Sequence, residues 1–272
     1  MGSHYVCIKC NATYPIVEGI PIFLHDAGSL DRAARENDRW LRHPIESGDP
    51  QQALNHKKGY VHFFQETVLR KFSFCGYVLE IGAGSCWASA LVKRSNPECK
   101  VYSTDISMRA LLKGIQVSHL LGASMDYVAA CDVHNLPFKD GLFDVVFGVA
   151  ILHHLERPKE AIKEIWRVLK SDGFYIGIRE GLASSSIKPL YRLFGHGWKE
   201  ERLFGAVERV YTYEEWAELL YNFKVNMTLK RNAASSLFFI EKLYYTAANL
   251  LPESILRRTV ATLEIVARKP VI

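Results

Sequence analysis

The sequence predicts an α/β fold: a doubly wound, mostly parallel sheet of seven strands, with helical caps and a small β-rich leader. Three observations predict it. From Gly76 to Arg179, short Val/Ile-rich stretches alternate with helix-like segments, and strand–helix–strand repetition at that pitch implies βαβ units. The run VVFGVAIL shows no apolar–polar alternation, as a strand covered by helices on both faces requires. The chain has 272 residues, 49% of them hydrophobic. That supports a large core and excludes a disordered chain or a disulfide-stapled mini-protein.

Met1-Gly2-Ser3-His4 reads as a vector-derived scar. Residues 5–24 read as the β-rich leader, turning at Glu18-Gly19 and around Pro21. Residues 25–72 read as a helical cap with helices near 30–42 and 51–71, the second carrying Tyr60, Phe63, Phe64, Val68 and Leu69 at helical spacing. Five strands follow at Tyr77–Ile81, Lys100–Thr104, Tyr127–Cys131, Phe143–Gly148 and Phe174–Arg179, with helices near 87–95, 108–121 and 158–170. The last helix gathers Ala161, Ile162, Ile165, Trp166 and Leu169 on one face. Past Arg179 the rhythm breaks. A helix at Tyr213–Phe223 and strands at Lys224–Lys230 and Thr262–Ala267 complete a domain over 73–272, with inserts at 182–210 and 233–258.

Lys and Arg number 34 against 29 acids, a formal +5. The basic residues are scattered in pairs such as Lys57-Lys58 and Arg257-Arg258, whereas a nucleic-acid footprint gathers into a patch. No nucleic-acid partner is expected. The longest apolar stretches, such as Phe143–Leu152, fall short of the roughly 20 residues of a spanning helix. Six irregularly spaced cysteines form no disulfide framework, so a cytoplasmic setting is the default. Monomer and homodimer both stay open.

VLEIGAGSC places Glu80 at the end of the first strand and glycines at 82 and 84. Ligands of open α/β sheets bind at the carboxyl ends of the strands, and glycine lets the backbone turn tightly and approach them. Cys86 stands where a dinucleotide fingerprint has its third glycine, and Glu80 sits badly beside a diphosphate. A carboxylate there suits a cofactor with a positive group. A nicotinamide dinucleotide is the physical runner-up. Asp105 closes VYSTD, about 20 residues on, where an acid can accept both hydroxyls of a ribose. Asp132 closes YVAACD, placed to receive an amino group of a base edge, and Asp144 opens LFDVVF. Each acid alone is more often a cap or turn residue; together they read as the lining of one crevice.

The stretches VLEIGAGSC, VYSTDIS, ACDVHNLPFKDGLFDVVFGVAILHHL and EIWRVLKSDGFYIGI resemble the class I S-adenosylmethionine-dependent methyltransferases. The resemblance is dense over residues 76–180 and implies the Rossmann-like methyltransferase fold, with S-adenosylmethionine as cofactor and S-adenosylhomocysteine as product. It implies that the Gly82-Ala83-Gly84 turn packs against the methionine portion, which Glu80 organises. Asp105 would hold the ribose hydroxyls with Ile106 next to it, and Asp132 the adenine amino group with Val133 beside the ring. Gly148 would begin a run along the cofactor, leading to His153 and His154 on the substrate side. Cys86 departs from the family's small or glycine residue. Cys7-x2-Cys10 has zinc-knuckle spacing, and the leader resembles the zinc-ribbon-like leaders found before some methyltransferase domains. A structural zinc needs four ligands, and the next cysteine is Cys75. The ribbon reads as degenerate, with no metal expected.

Methyl transfer needs in-line positioning and exclusion of water, and a general base only where the acceptor must lose a proton. His153, His154 and Glu180 are the candidate catalytic groups, against the plainer reading of packing histidines and an ion-pair carboxylate. Arg179, Tyr191, His196 and Trp198 are candidate acceptor contacts. The leading function is methylation of a small molecule at O, N or C, enclosed by the cap segments. The alternatives are methylation of RNA or a protein side chain, and a non-catalytic S-adenosylmethionine-binding partner protein.

Overall fold

The computed structural model describes residues 3–8, 10–24, 26–43, 47–183, 185, 188, 209–230 and 260–271. The leader is an antiparallel sheet of β1 (His4–Val6), β2 (Thr13–Val17) and β3 (Ile20–Pro21). Its turn uses left-handed backbone at Glu18 and Gly19, φ 49° and 80°. His4, read as part of a scar, pairs with Pro15. The zinc-ribbon resemblance is not supported: among the described residues no group of three or more His, Cys, Asp or Glu could hold a metal. Strand pairing pins the leader instead. Ile22 bridges Ala130, the Phe23 N–H donates to the Ala130 carbonyl at 2.8 Å, and Ile20 is buried with Ala83, Leu111 and Ala130.

The cap begins with α1 (Ala27–Arg42), whose N-cap Asp26 accepts the Ser29 N–H. The single helix expected over 51–71 is broken into pieces. These are α2 (Pro50–His56), α3 (Lys58–Phe63), a π-turn at Phe64–Val68 and α4 (Leu69–Lys71). The break falls at Lys57, whose ψ of 6° leaves the helical range. Phe64 and Val68 are nonetheless fully buried, with Phe64 edge-on to Trp87, as their spacing requires.

The main sheet has the seven strands predicted. They are β4 (Tyr77–Ile81), β5 (Lys100–Asp105), β6 (Tyr127–Ala130), β7 (Phe143–Val149), β8 (Leu169–Ala183), β9 (Lys224–Lys230) and β10 (Val260–Arg268), in the order β6-β5-β4-β7-β8-β10-β9. β5 and β7 flank β4 in parallel, β6 is parallel to β5, and β10 is antiparallel to β8 and β9. The order reverses beside β4, which makes its carboxyl end a topological switch point. Helices α5 (Trp87–Ser95), α6 (Met108–Leu120), α7 (Pro158–Val168) and α8 (Tyr213–Leu219) follow the strands, with a 3-10 turn at Leu152–His154.

The chain divides into two compact units, Met1–Phe147 with Glu164–Lys170, and Gly148–Lys163 with Ser171–Ile272. In the first unit, Arg167 clamps the loop after β6. Its guanidinium donates to the carbonyls of Leu136 and Phe138 at 2.8 and 2.7 Å and to Asp140 and Glu164, while Glu164 accepts the Leu136 N–H. Arg167→Ala should cost about 2 kcal/mol of stability, because two part-buried carbonyls lose a charged donor; the urea midpoint measures it. Asp144 corrects an expectation. It accepts the Tyr77 N–H and the Lys170 ammonium, all at 2.8 Å, at the amino end of β4. It therefore lies opposite the crevice and does not line it.

In the second unit, β8 runs past the expected Phe174–Arg179 because β10 keeps pairing with it as far as Ala183. A β-bulge sets Ile178 and Arg179 against Glu264, between the pairs Gly177–Ile265 and Glu180–Leu263. Most of the 182–210 insert and all of 233–258 lie outside the described residues, and with them the candidates Tyr191, His196 and Trp198.

Candidate active site

In the first unit, the carboxyl ends of three adjacent strands bring together Glu80, Asp105 and Asp132, the acids expected there. Gly82 and Gly84 have φ of 60° and 52°, backbone that side chains resist. A Cβ on Gly84 would also stand 3.3 Å from the buried Trp40 ring of α1. Cys86 adopts the same conformation, φ 50°, without being glycine. Its sulfur packs against Gly114, where a Cβ would come within 2.4 Å of it. The third glycine of a dinucleotide turn is thus replaced by a thiol buried against α6.

Glu80 is 2% exposed and accepts the Ser89 N–H at 2.9 Å and the Ser89 hydroxyl. Burial pushes its carboxyl up to about 8, against those two bonds. Asp105 is half-buried; one oxygen accepts the Gly84 N–H and the other the Ser107 N–H, both at 2.8 Å. Each oxygen retains a lone pair, enough for the two hydroxyls of a ribose. Burial raises this acid to about 6. Helix α1 reaches the same strand end, where Asn37 accepts from the Ser107 hydroxyl and the Arg109 N–H.

Asp132 differs. One oxygen accepts Nε and Nη2 of Arg32, and the other accepts the His134 N–H at 2.9 Å and faces its Nδ1 at 2.5 Å. Burial alone would raise this acid, but the bonds from His134 and Arg32 hold it well below the usual carboxylate range. Ile106 and Val133 are half-buried beside their acids, and Ala83 is buried in the turn. Buried acids around a left-handed glycine turn fit a cationic cofactor with a ribose, and disfavour a diphosphate.

The second unit brings His153 and Glu180 together, with Arg179 preceding Glu180 in β8. Glu180 is fully buried. Its oxygens accept the N–H groups of Ile151, Leu152 and His153 at 3.1–3.2 Å, and His153 Nδ1 lies 2.7 Å away. These four contacts occupy about all the lone-pair positions a carboxylate has. Glu180, expected as a catalytic candidate, is enclosed by its own turn and is placed to orient His153. A carboxylate facing N–H donors only accepts, so Nδ1 carries a proton, and in the neutral ring the lone pair then lies on Nε2. The Gly181 N–H, 3.4 Å from Nδ1, is the longer contact. His153 is buried and its ring lies against exposed His154, centroids 4.3 Å apart. Ala150 and Arg179 are left-handed, φ 55° and 62°, and the Ala150 N–H donates to the Ile178 carbonyl at 2.7 Å. Such strain costs on the order of 1–3 kcal/mol per residue and gathers at functional sites. Gly148 is buried near the end of β7.

Residues 79–177 match a family described as "Methyltransferase domain". The chain carries a methyltransferase domain. It is 33% identical over 119 residues to the ubiquinone/menaquinone biosynthesis C-methyltransferase UbiE of Laribacter hongkongensis, covering 43% of this chain and 48% of that one. It is 34% identical over 84 residues to the tRNA (carboxymethyluridine(34)-5-O)-methyltransferase of Arabidopsis thaliana, covering 30% and 19%. The geranyl diphosphate C-methyltransferase of Streptomyces coelicolor A3(2), solved with S-adenosylhomocysteine, shares the fold. Its TM-score is 0.59 at 13% identity, over 91% of this chain and 99% of that one. The chain spans less than half the length of the curated relatives it matches first.

Sequence reasoning missed Arg32, His134, Ser89 and Trp40 at the domain's strand ends. Only Ser89 carried a local signal, nine residues past Glu80 in the first turn of the helix that follows.

Proposed function

We propose that this chain transfers the methyl group of S-adenosylmethionine to a small-molecule acceptor at O, N or C, with His153 as general base. The observation that carries the reading is the enclosure of Glu80 and Asp105 at the switch point of a methyltransferase domain. Bound S-adenosylmethionine would supply an electrophilic methyl on a sulfonium. The Gly82-Ala83-Gly84 turn and Glu80 would hold its methionine end, Asp105 and Ile106 its ribose, and Val133 and Gly148 would flank it. His153 Nε2 takes the proton the acceptor loses, and Glu180 keeps the ring oriented and stabilises the imidazolium. His154 lies against His153, and Arg179, Tyr191, His196 and Trp198 are proposed acceptor contacts.

The relatives named for quinone C-methylation favour an acceptor with an acidic O–H or C–H, for which a base is useful. A cytoplasmic location goes with this reading; among the described residues no helix is long and apolar enough to cross a membrane. RNA is the second reading, favoured by the tRNA methyltransferase match. Incubation with S-adenosylmethionine and parallel panels of phenols, quinols, small amines and bulk tRNA tests both. Release of S-adenosylhomocysteine with a small acceptor is expected. Methyl incorporation into tRNA alone would transfer the assignment to RNA.

A further inference from the structure

Among the described residues of the leader, 5–24, Ile20 alone is buried, at 1% exposure. Strands of three, five and two residues around one such side chain have no core of their own. What Ile20 packs with therefore decides where the leader is held. It shares one apolar cluster with Ala83, Cys86, Leu111 and Ala130. Ala83 is the middle residue of the Gly82-Ala83-Gly84 turn, and its carbonyl accepts the N–H of left-handed Cys86 at 2.8 Å. A leader side chain thus belongs to the same cluster as the turn assigned to the methyl donor.

The backbone keeps it there. β6 is the last strand of the main sheet, and a terminal strand presents a row of unpaired groups. Ile22 bridges Ala130 in parallel, and the Phe23 N–H donates to the Ala130 carbonyl at 2.8 Å. The rings of Tyr5 and Tyr14 lie 6.0 and 5.2 Å from that of Phe23 and tie the rest of the leader to this anchor. Capping an edge needs only those backbone bonds. The burial of Ile20 with Ala83 and Cys86 is a separate feature.

We propose that Ile20 is a positioning residue for the methyl donor: through it, the leader holds the Gly82-Ala83-Gly84 turn in its binding form. The inference rests on the S-adenosylmethionine reading above and deepens it. Gly82 and Gly84, both left-handed, give the turn backbone freedom that a bound ligand takes away, and a turn already held pays less of that cost on binding. Trp40 restricts it at Gly84, and Ile20 restricts it at Ala83 and Cys86. Coupling between two sites is reciprocal, so bound donor in turn holds the leader on β6.

Calorimetry with S-adenosylhomocysteine on the full chain tests this. Ile20→Ala opens a cavity in the cluster and should weaken binding by about tenfold. Ile20→Val removes one methyl and should stay within about threefold. Ile165→Ala is the same truncation at an equally buried side chain of the same unit, outside this cluster. It should lower the melting temperature and leave the affinity within about threefold. Amide exchange in the unsubstituted protein needs no variant: S-adenosylhomocysteine should slow the Phe23 N–H by about tenfold. Three results overturn the inference and leave the donor reading intact: unchanged affinity in Ile20→Ala, an equal loss in Ile165→Ala, or a Phe23 N–H indifferent to S-adenosylhomocysteine. A chain that binds neither S-adenosylmethionine nor S-adenosylhomocysteine overturns the donor reading, and the inference falls with it.

Discussion

His153→Phe should lower kcat by about 10²–10⁴-fold, the contribution of a positioned general base, while S-adenosylhomocysteine still binds within about threefold. Phenylalanine keeps a ring of similar size against His154. Glu180 loses one donor and keeps the N–H groups of Ile151, Leu152 and residue 153. The turn should therefore survive, and the loss should fall on the step that needs a lone pair. Glu180→Gln tests the same pair differently. Its amide would turn an NH₂ toward N–H groups, so both stability and rate should fall. Single-turnover rates beside thermal melts separate these outcomes, and a His153→Phe rate equal to the unsubstituted one would remove His153 from the chemistry.

Raising the pH from 5 to 9 should weaken the ligand-free fold and strengthen donor binding, two opposite slopes from the same acids. Burial raises Glu80 from 4.5 to about 8 and Asp105 from 3.8 to about 6. A carboxyl raised in the fold contributes stability that is complete below its unfolded value and is lost as pH climbs through the folded one. The loss therefore runs from about pH 4 to 8 and reaches on the order of 4 kcal/mol for Glu80, which is enclosed on every side. Half-buried Asp105 is screened by solvent and carries less of the penalty. A cationic donor reverses the balance, because it favours both carboxylates in their charged form. Donor binding near pH 7 should then release protons, measured by calorimetry in buffers of different ionisation enthalpy. Glu80→Gln should flatten the alkaline fall in stability and weaken donor binding. Proton-neutral binding across pH 6–8 would show that these acids do not answer the donor's charge.

The order of strands and helices was legible because each element carries its own period. The glycine turn was legible for a similar reason: Gly82 and Gly84 announce left-handed backbone, and an acid closing an apolar strand announces the strand's end. Two acids were nevertheless misjudged. Asp144 adjoins an apolar strand just as Asp105 does, but it sits at the opposite end and answers Lys170. Glu180 looked like a pocket carboxylate and is folded under the turn that carries His153.

Composition allowed almost any α/β enzyme, and the sequence by itself determined the seven-strand frame, the glycine turn and the acids at its three strand ends. The tertiary structure alone decided what those acids touch. Arg32 meets Asp132 across 100 residues of sequence, and Glu180 meets His153 across 27. Periodicity says which face of an element a side chain leaves from. It says nothing of the lone pairs that side chain still has free once distant helices and turns have packed against it, and those lone pairs govern the chemistry.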